Sequence, residues 1–113
     1  MGGVNNMADF ETIPAKDLDK YVVSNNSYTI DLRSKENYEY EHIKGAINIP
    51  YEELGKSLEV PSGLDLILYC ERGSTSLRAA RELSRKGYRV KAVVGGLHAY
   101  RGNNIEYGLK LLK

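Results

Sequence analysis

Leu64-Asp65-Leu66-Ile67-Leu68-Tyr69-Cys70 runs without a break into Glu71-Arg72-Gly73-Ser74-Thr75-Ser76, and this stretch decides the fold. The run Leu66 to Cys70 is apolar at consecutive positions rather than at alternate ones. That pattern belongs to a central strand buried on both faces, in a parallel sheet covered by helices. A short polar loop, Glu71-Arg72-Gly73-Ser74, follows it. Beyond the loop, Leu77, Ala80 and Leu83 recur at helical spacing, predicting a helix from Thr75 or Ser76 to Lys86 with Gly87 as its C-cap. Arg78, Glu82 and Lys86 lie four apart on the other side and read as a solvated charge ladder.

Working outward, Tyr88 to Val94 alternates as a strand and stops at Gly95-Gly96. On the N-terminal side, Phe10 to Ile13 is a short extended piece, and Pro14 opens a helix bearing Leu18, Tyr21 and Val22. Ser24-Asn25-Asn26-Ser27 is a turn cluster leading into the strand formers Tyr28-Thr29-Ile30-Asp31-Leu32. Ser34 to Glu41 predicts a short surface helix, Ala46 to Ile49 a short strand before Pro50, and Tyr51 to Leu58 another helix. A last helix is predicted over Asn104 to Leu112, packing Ile105, Leu109 and Leu112. Strands separated by helices require right-handed crossovers. The expected architecture is therefore α/β: a small parallel sheet of four or five strands with helices on both faces. Sheets of this kind bind ligands at the carboxyl ends of their strands, which is where Cys70 falls.

Composition narrows the function. The chain has 113 residues, 42% hydrophobic and 27% charged, which fits one globular domain and excludes a disordered or fibrous protein. We expect that domain to span residues 10–113, with residues 1–9 a flexible tail in which Met7 is an alternative start. Sixteen Lys and Arg against fifteen Asp and Glu leave a net charge of +1, too balanced for the footprint that nucleic-acid binding demands. No apolar run reaches membrane-spanning length and Met1 to Phe10 has no signal-peptide core, so neither a membrane nor export is expected and the cytoplasm is the predicted location. The opening Met-Gly lacks the Ser or Thr that myristoylation wants at the sixth position, occupied here by Asn6. Cys70 is the single cysteine, which excludes an intrachain disulfide. With only His42 and His98 beside it, no metal site and no cofactor is expected.

A lone cysteine is more often an inert buried hydrophobe than a nucleophile. Cys70 is placed differently, at a strand end just ahead of a helix N-terminus. Backbone N–H groups can converge on an anion there, and the aligned peptide dipoles favour the thiolate form. Arg72 adds a cation, which Glu71 opposes if it points inward.

The sequence Cys70-Glu71-Arg72-Gly73-Ser74-Thr75-Ser76, with Ala79-Ala80 and Leu83 beyond it, resembles the active loop and helix of rhodanese-like domains. Asp31-Leu32-Arg33 is similar to that family's Asp-x-Arg strand end. Glu41 to Pro50 is similar to its Gly-His-Ile-x-Gly-Ala-x-Asn-Ile-Pro segment, and Gly87-Tyr88, Gly95-Gly96-Leu97 and Tyr100 match the end of the pattern. The likeness runs from about Phe10 to Arg101. Glu41 departs from the usual Gly and Tyr100 from the commonest Trp. Glu71 is acidic where thiosulfate-using members carry more positive charge, which leaves the sulfur donor open.

The resemblance implies sulfurtransfer. The Cys70 thiolate would attack the outer sulfur of a sulfane donor such as thiosulfate or polysulfide, and a thiol or cyanide would then remove that sulfur from a Cys70 persulfide, in ping-pong fashion. The loop N–H groups from Cys70 to Thr75 would cradle the persulfide. Glu71, Arg72, Gly73, Ser74, Thr75 and Ser76 are accordingly expected to bind substrate, with Arg72 orienting an anionic donor. Arg33 either helps position substrate or forms a structural ion pair with an acid such as Asp31.

Other chemistries fit less well. Attack by a thiolate on sulfane sulfur needs no base, so His42 reads as a structural histidine and His98 as exposed or capping. A Cys-His protease would need a large peptide cleft. A cysteine phosphatase would need an arginine six positions after the nucleophile, where Ser76 stands. The remaining alternative is a module that carries a persulfide to, or docks on, a sulfur-accepting partner protein without turnover.

Overall fold

A computed structural model describes residues 10–56, 58–60 and 63–108. The predicted N-terminal tail lies outside them, as do Leu109 and Leu112. The chain forms β1 (Glu11–Pro14), α1 (Leu18–Val22), β2 (Ser27–Asp31), α2 (Lys35–Tyr40), β3 (Glu41–Ile43), β4 (Ile47–Asn48), β5 (Asp65–Tyr69), α3 (Ser74–Arg85), β6 (Arg89–Val94) and β7 (Ile105–Tyr107). Single 3-10 turns occupy Ala15–Asp17, Tyr51–Glu53 and Leu97–Ala99.

Five strands make one parallel sheet in the order β1-β6-β5-β2-β4. The continuous apolar run is its centre. Leu66, Leu68 and Cys70 point into one core layer with Ala79, Ala80 and Leu83 of α3, whereas Ile67 and Tyr69 point into the other with Leu18, Ile43 and Leu97. Both faces of β5 are thus sealed, and five parallel strands with helices on either side realise the expected α/β class. Sheet order places the C-terminal ends of β6, β5 and β2 side by side. Gly95-Gly96, the Cys70 loop and Arg33 therefore meet at one edge, although they are far apart in sequence.

Helix α3 begins at Ser74, slightly earlier than expected. Gly73, with φ 110°, makes the left-handed turn that admits it. It ends as predicted. Gly87, at φ 99°, donates to the Ser84 carbonyl (3.0 Å) and Tyr88 to the Leu83 carbonyl (3.2 Å), the paired bonds of a Schellman cap. Ser34 caps α2 by accepting the Asn37 N–H at 3.1 Å.

Three expectations for the outer elements are corrected. Instead of a helix over Tyr51 to Leu58, a 3-10 turn at Tyr51–Glu53 relaxes into irregular turns through Lys56. Gly55 weakens helix propagation there, and the segment needs only to seat Leu54 in the core. Instead of a helix starting at Asn104, Ile105–Tyr107 forms β7, antiparallel to β3 with Ile43 opposite Ile105. A β-branched and an aromatic residue suit a strand, but the partner that makes it one lies about sixty positions upstream. Pro14 closes β1 rather than opening a helix; α1 starts after the intervening 3-10 turn.

Candidate active site

Strand β5 delivers Cys70 to the sheet edge with only 5% of its surface exposed. Its Sγ accepts N–H groups from Gly73 (3.0 Å) and Ser76 (3.3 Å), so the loop curls back over the sulfur. These donors lie at the start of a 12-residue helix whose first-turn N–H groups have no intrahelical carbonyl to bond. Convergent N–H dipoles around a sulfur atom stabilise negative charge on it. The buried Ser76 hydroxyl donates to the Gly73 carbonyl at 3.0 Å, which fixes the turn. Gly73 is buried, Thr75 half-buried, and Glu71, Arg72 and Ser74 are exposed.

The loop is held from behind by the 3-10 turn that follows the neighbouring strand β6. Leu97 N–H donates to the Cys70 carbonyl (2.9 Å) and His98 N–H to the Glu71 carbonyl (3.0 Å). Such contact needs close backbone approach. A Cβ on Gly96 would stand 2.5 Å from both carbonyl oxygens, and one on Gly73 would stand 2.9 Å from the Gly95 nitrogen. Residues 95–98 are therefore part of the site's frame, a role the sequence signalled only through two consecutive glycines at a strand end.

Arg33 takes the ion-pair alternative, and extends it. Its side chain, 5% exposed, donates from Nη2 to Asp31 Oδ2 at 2.8 Å and from Nε to Asp31 Oδ1 at 3.0 Å. Nη2 also donates to the Glu41 carbonyl, and Nη1 reaches Glu71 Oε1 at 3.3 Å. Burial disfavours the charged guanidinium, but the bonds and charge of Asp31 outweigh that and hold it protonated well beyond the ordinary arginine range. Tyr69 joins the same network. Its hydroxyl accepts the Ile43 N–H at 3.0 Å, and burial together with neighbouring Asp31 pushes its ionisation far up. Asp31 is the acid the sequence offered for this pair, whereas Tyr69 and the Glu41 carbonyl are supporting groups that residue pattern did not single out. Buried tyrosines are common, and a carbonyl carries no sequence signature.

Arg72 projects into solvent with no hydrogen-bonded or ionic partner among the described residues. His42 is fully occupied structurally: it stacks on Tyr38 with centroids 3.8 Å apart, its Nδ1 lies 2.7 Å from the Tyr38 carbonyl and its Nε2 3.1 Å from Glu106. His98 is exposed. Among the described residues, no group of His, Cys, Asp and Glu could hold a metal ion, and no helix is long and apolar enough to cross a membrane.

A doubly covered parallel sheet whose central strand ends in a cysteine, wrapped by a tight loop at a helix N-terminus, defines a class of α/β proteins built around a cysteine sulfur cradled by backbone N–H groups. The rhodanese-like domain family model matches residues 14–103, and the chain belongs to that family. Its fold is that of a rhodanese-like domain protein from Staphylococcus aureus, with TM-score 0.77 and 22% identity over 87% of this chain and 98% of that one. Among curated proteins, the thiosulfate sulfurtransferase PspE of Escherichia coli is 41% identical over 71 residues, covering 60% of this chain and 68% of the relative. A tRNA sulfurtransferase of Desulfurococcus amylolyticus is 33% identical over 91 residues, 80% of this chain; the match spans only 18% of that longer protein.

Proposed function

We propose that this domain is a sulfurtransferase acting through Cys70. The Cys70 thiolate attacks the outer sulfur of a sulfane donor such as thiosulfate or polysulfide. The Sγ–S bond forms, the donor's S–S bond breaks, and its electron pair leaves with sulfite or a shortened polysulfide. A thiol, cyanide or a sulfur-accepting protein then takes the sulfur and returns the thiolate. The observation that carries this reading is the pair of N–H donors from Gly73 and Ser76 on Sγ, at the start of α3. A base is not required, which agrees with the structural engagement of His42. The peptide groups of residues 70 to 76 form the substrate cradle. The single thiol suits a reducing, cytoplasmic setting, where it stays available for transfer. The sulfurtransferase relatives support the reaction class.

Intact-protein mass spectrometry tests it directly. After incubation with thiosulfate or polysulfide, the wild type should gain one sulfur atom and release it as thiocyanate on adding cyanide, while Cys70→Ser should gain none yet stay folded. Persulfide on the serine variant, or none on the wild type with either donor, would overturn the mechanism. Repeated turnover with small thiols identifies an enzyme; arrest after one equivalent identifies a carrier that needs its partner.

A further inference from the structure

Of the two N–H groups on Cys70 Sγ, the one from Ser76 belongs to the first turn of α3 and the one from Gly73 lies just ahead of the helix. A glycine turns freely through conformations closed to other residues, so the Gly73 N–H points at the sulfur only while the residue is held at φ 110°. Two contacts hold it. On one side its α-carbon lies close against the neighbouring backbone, where a Cβ would stand 2.9 Å from the Gly95 nitrogen and 3.6 Å from the Val93 carbonyl oxygen. On the other, its carbonyl accepts two donors, the Leu77 N–H at 3.1 Å and the Ser76 hydroxyl at 3.0 Å. The Leu77 bond is the ordinary backbone bond of a helix, which almost any residue supplies. The Ser76 bond depends on its side chain. Ser76 has none of its surface exposed, so solvent cannot stand in for the hydroxyl. One residue thus donates its own N–H to Sγ and, through its side chain, fixes the residue that donates the other. Ser84 makes the same kind of bond on the same helix, Oγ to the Arg81 carbonyl at 3.1 Å, but about two turns further from the sulfur.

We propose that Ser76 is a positioning residue: its hydroxyl, by holding the Gly73 carbonyl, keeps the Gly73 N–H directed at Sγ and so sets how readily Cys70 acts as a nucleophile. This deepens the sulfurtransferase reading and rests on it for the reaction served. The Ser76 side chain makes and breaks no covalent bond and takes up no proton. It acts before a donor arrives, by fixing in advance a dipole that would otherwise have to be oriented as charge develops on the sulfur. The effect therefore belongs to the nucleophile and is the same whichever donor carries the sulfur.

Ser76→Ala and Ser84→Ala test this. Alanine is the better helix former and the Gly73 carbonyl keeps its Leu77 bond, so both variants should stay folded by circular dichroism. Cys70 is the single cysteine, and alkylation by iodoacetamide at a fixed pH therefore reads its reactivity with no sulfur donor involved. We expect Ser76→Ala to slow alkylation about three- to tenfold. It should lower kcat for persulfide formation from thiosulfate and from polysulfide by a similar factor, with KM within about twofold of the wild type. Ser84→Ala should leave all three rates unchanged. An unchanged alkylation rate in Ser76→Ala, an equal loss in Ser84→Ala, or a raised KM with kcat unchanged would each overturn the proposal, the last by making Ser76 a donor-binding residue. If no donor forms a persulfide on any of these proteins, the wild type included, while alkylation still separates the two variants, the sulfurtransferase reading falls and the positioning role stands.

Discussion

Gly96 shows how much a single missing side chain can decide at the residue scale. It sits at φ 63°, and a Cβ there would press on the carbonyls of Cys70 and Glu71. Those carbonyls accept the Leu97 and His98 N–H groups that hold the loop. Gly96→Ala therefore meets both a strained backbone conformation and a collision with groups that cannot turn aside. We expect it to destabilise the fold by about 2–3 kcal/mol in urea unfolding and to slow Cys70 persulfide formation out of proportion to that loss. A rate unchanged in the folded variant would show that the 95–98 segment does not shape the sulfur cradle. Cys70 was legible in the sequence as a candidate nucleophile because strand, loop and helix signals met there. Glu71 was legible only as a charge of unknown direction, since the guanidinium it faces is 38 positions away.

At the scale of elements, local chemistry and distant pairing divide the chain. Helix α3 is specified from within. Ala79, Ala80 and Leu83 give it a buried face, Gly73 admits it, and Gly87 ends it. Gly87→Ala should cost about 1 kcal/mol by denaturant unfolding while leaving persulfide formation untouched, because the strained C-terminal cap lies at the opposite end of the helix from Sγ. A cost near zero would mean that the cap's hydrogen bonds do not require the left-handed turn. Strand β7 is the contrary case. Ile105 falls at helical spacing with Leu109 and Leu112, while Ile105-Glu106-Tyr107 alternates as a strand does, and only pairing with Glu41–Ile43 resolves it. The segment after Pro50 departs from the helix its sequence predicts because Gly55 and the demand to bury Leu54 outweigh helix propensity.

Across the whole molecule, ties between remote segments hold the frame around the site. Asp19 on α1 accepts the Tyr100 hydroxyl and the Asn104 amide, the latter at 2.8 Å, binding the first helix to the stretch that leads into β7. The Tyr100 bond, then the Asn104 bond, hold the Asp19 carboxyl below the ordinary carboxylate range, and the Arg89 side chain does the same for Asp65. For a lowered carboxyl, the folded state binds protons more weakly than the unfolded one. Its contribution is present in full above about pH 4 and is lost as pH falls further, through the lowered value. Tyr100 has the opposite sign. Burial, then the Asp19 bond, raise it, so its contribution is present below about pH 10 and fades as pH rises beyond that. Thermal unfolding should therefore give a Tm that is level between these limits with respect to the three groups and falls outside them. Asp19→Asn should make the acid-side fall shallower. An acid limb identical to the wild type's would remove Asp19 from the account.

The sequence by itself determined the class of fold and singled out Cys70 as the candidate nucleophile. Alternation and its absence are read residue by residue, so the continuous apolar run of β5, the turn glycines and the cysteine ahead of a helix could be recognised without any knowledge of neighbours. Only the tertiary structure decided which turn braces the loop, that Asp31, Arg33 and Glu71 form one anchored triad, and that Ile105–Tyr107 is a strand. Each of these depends on groups that the chain brings together from different elements, and hydrogen bonds and ion pairs act over a few ångströms of space rather than along the sequence.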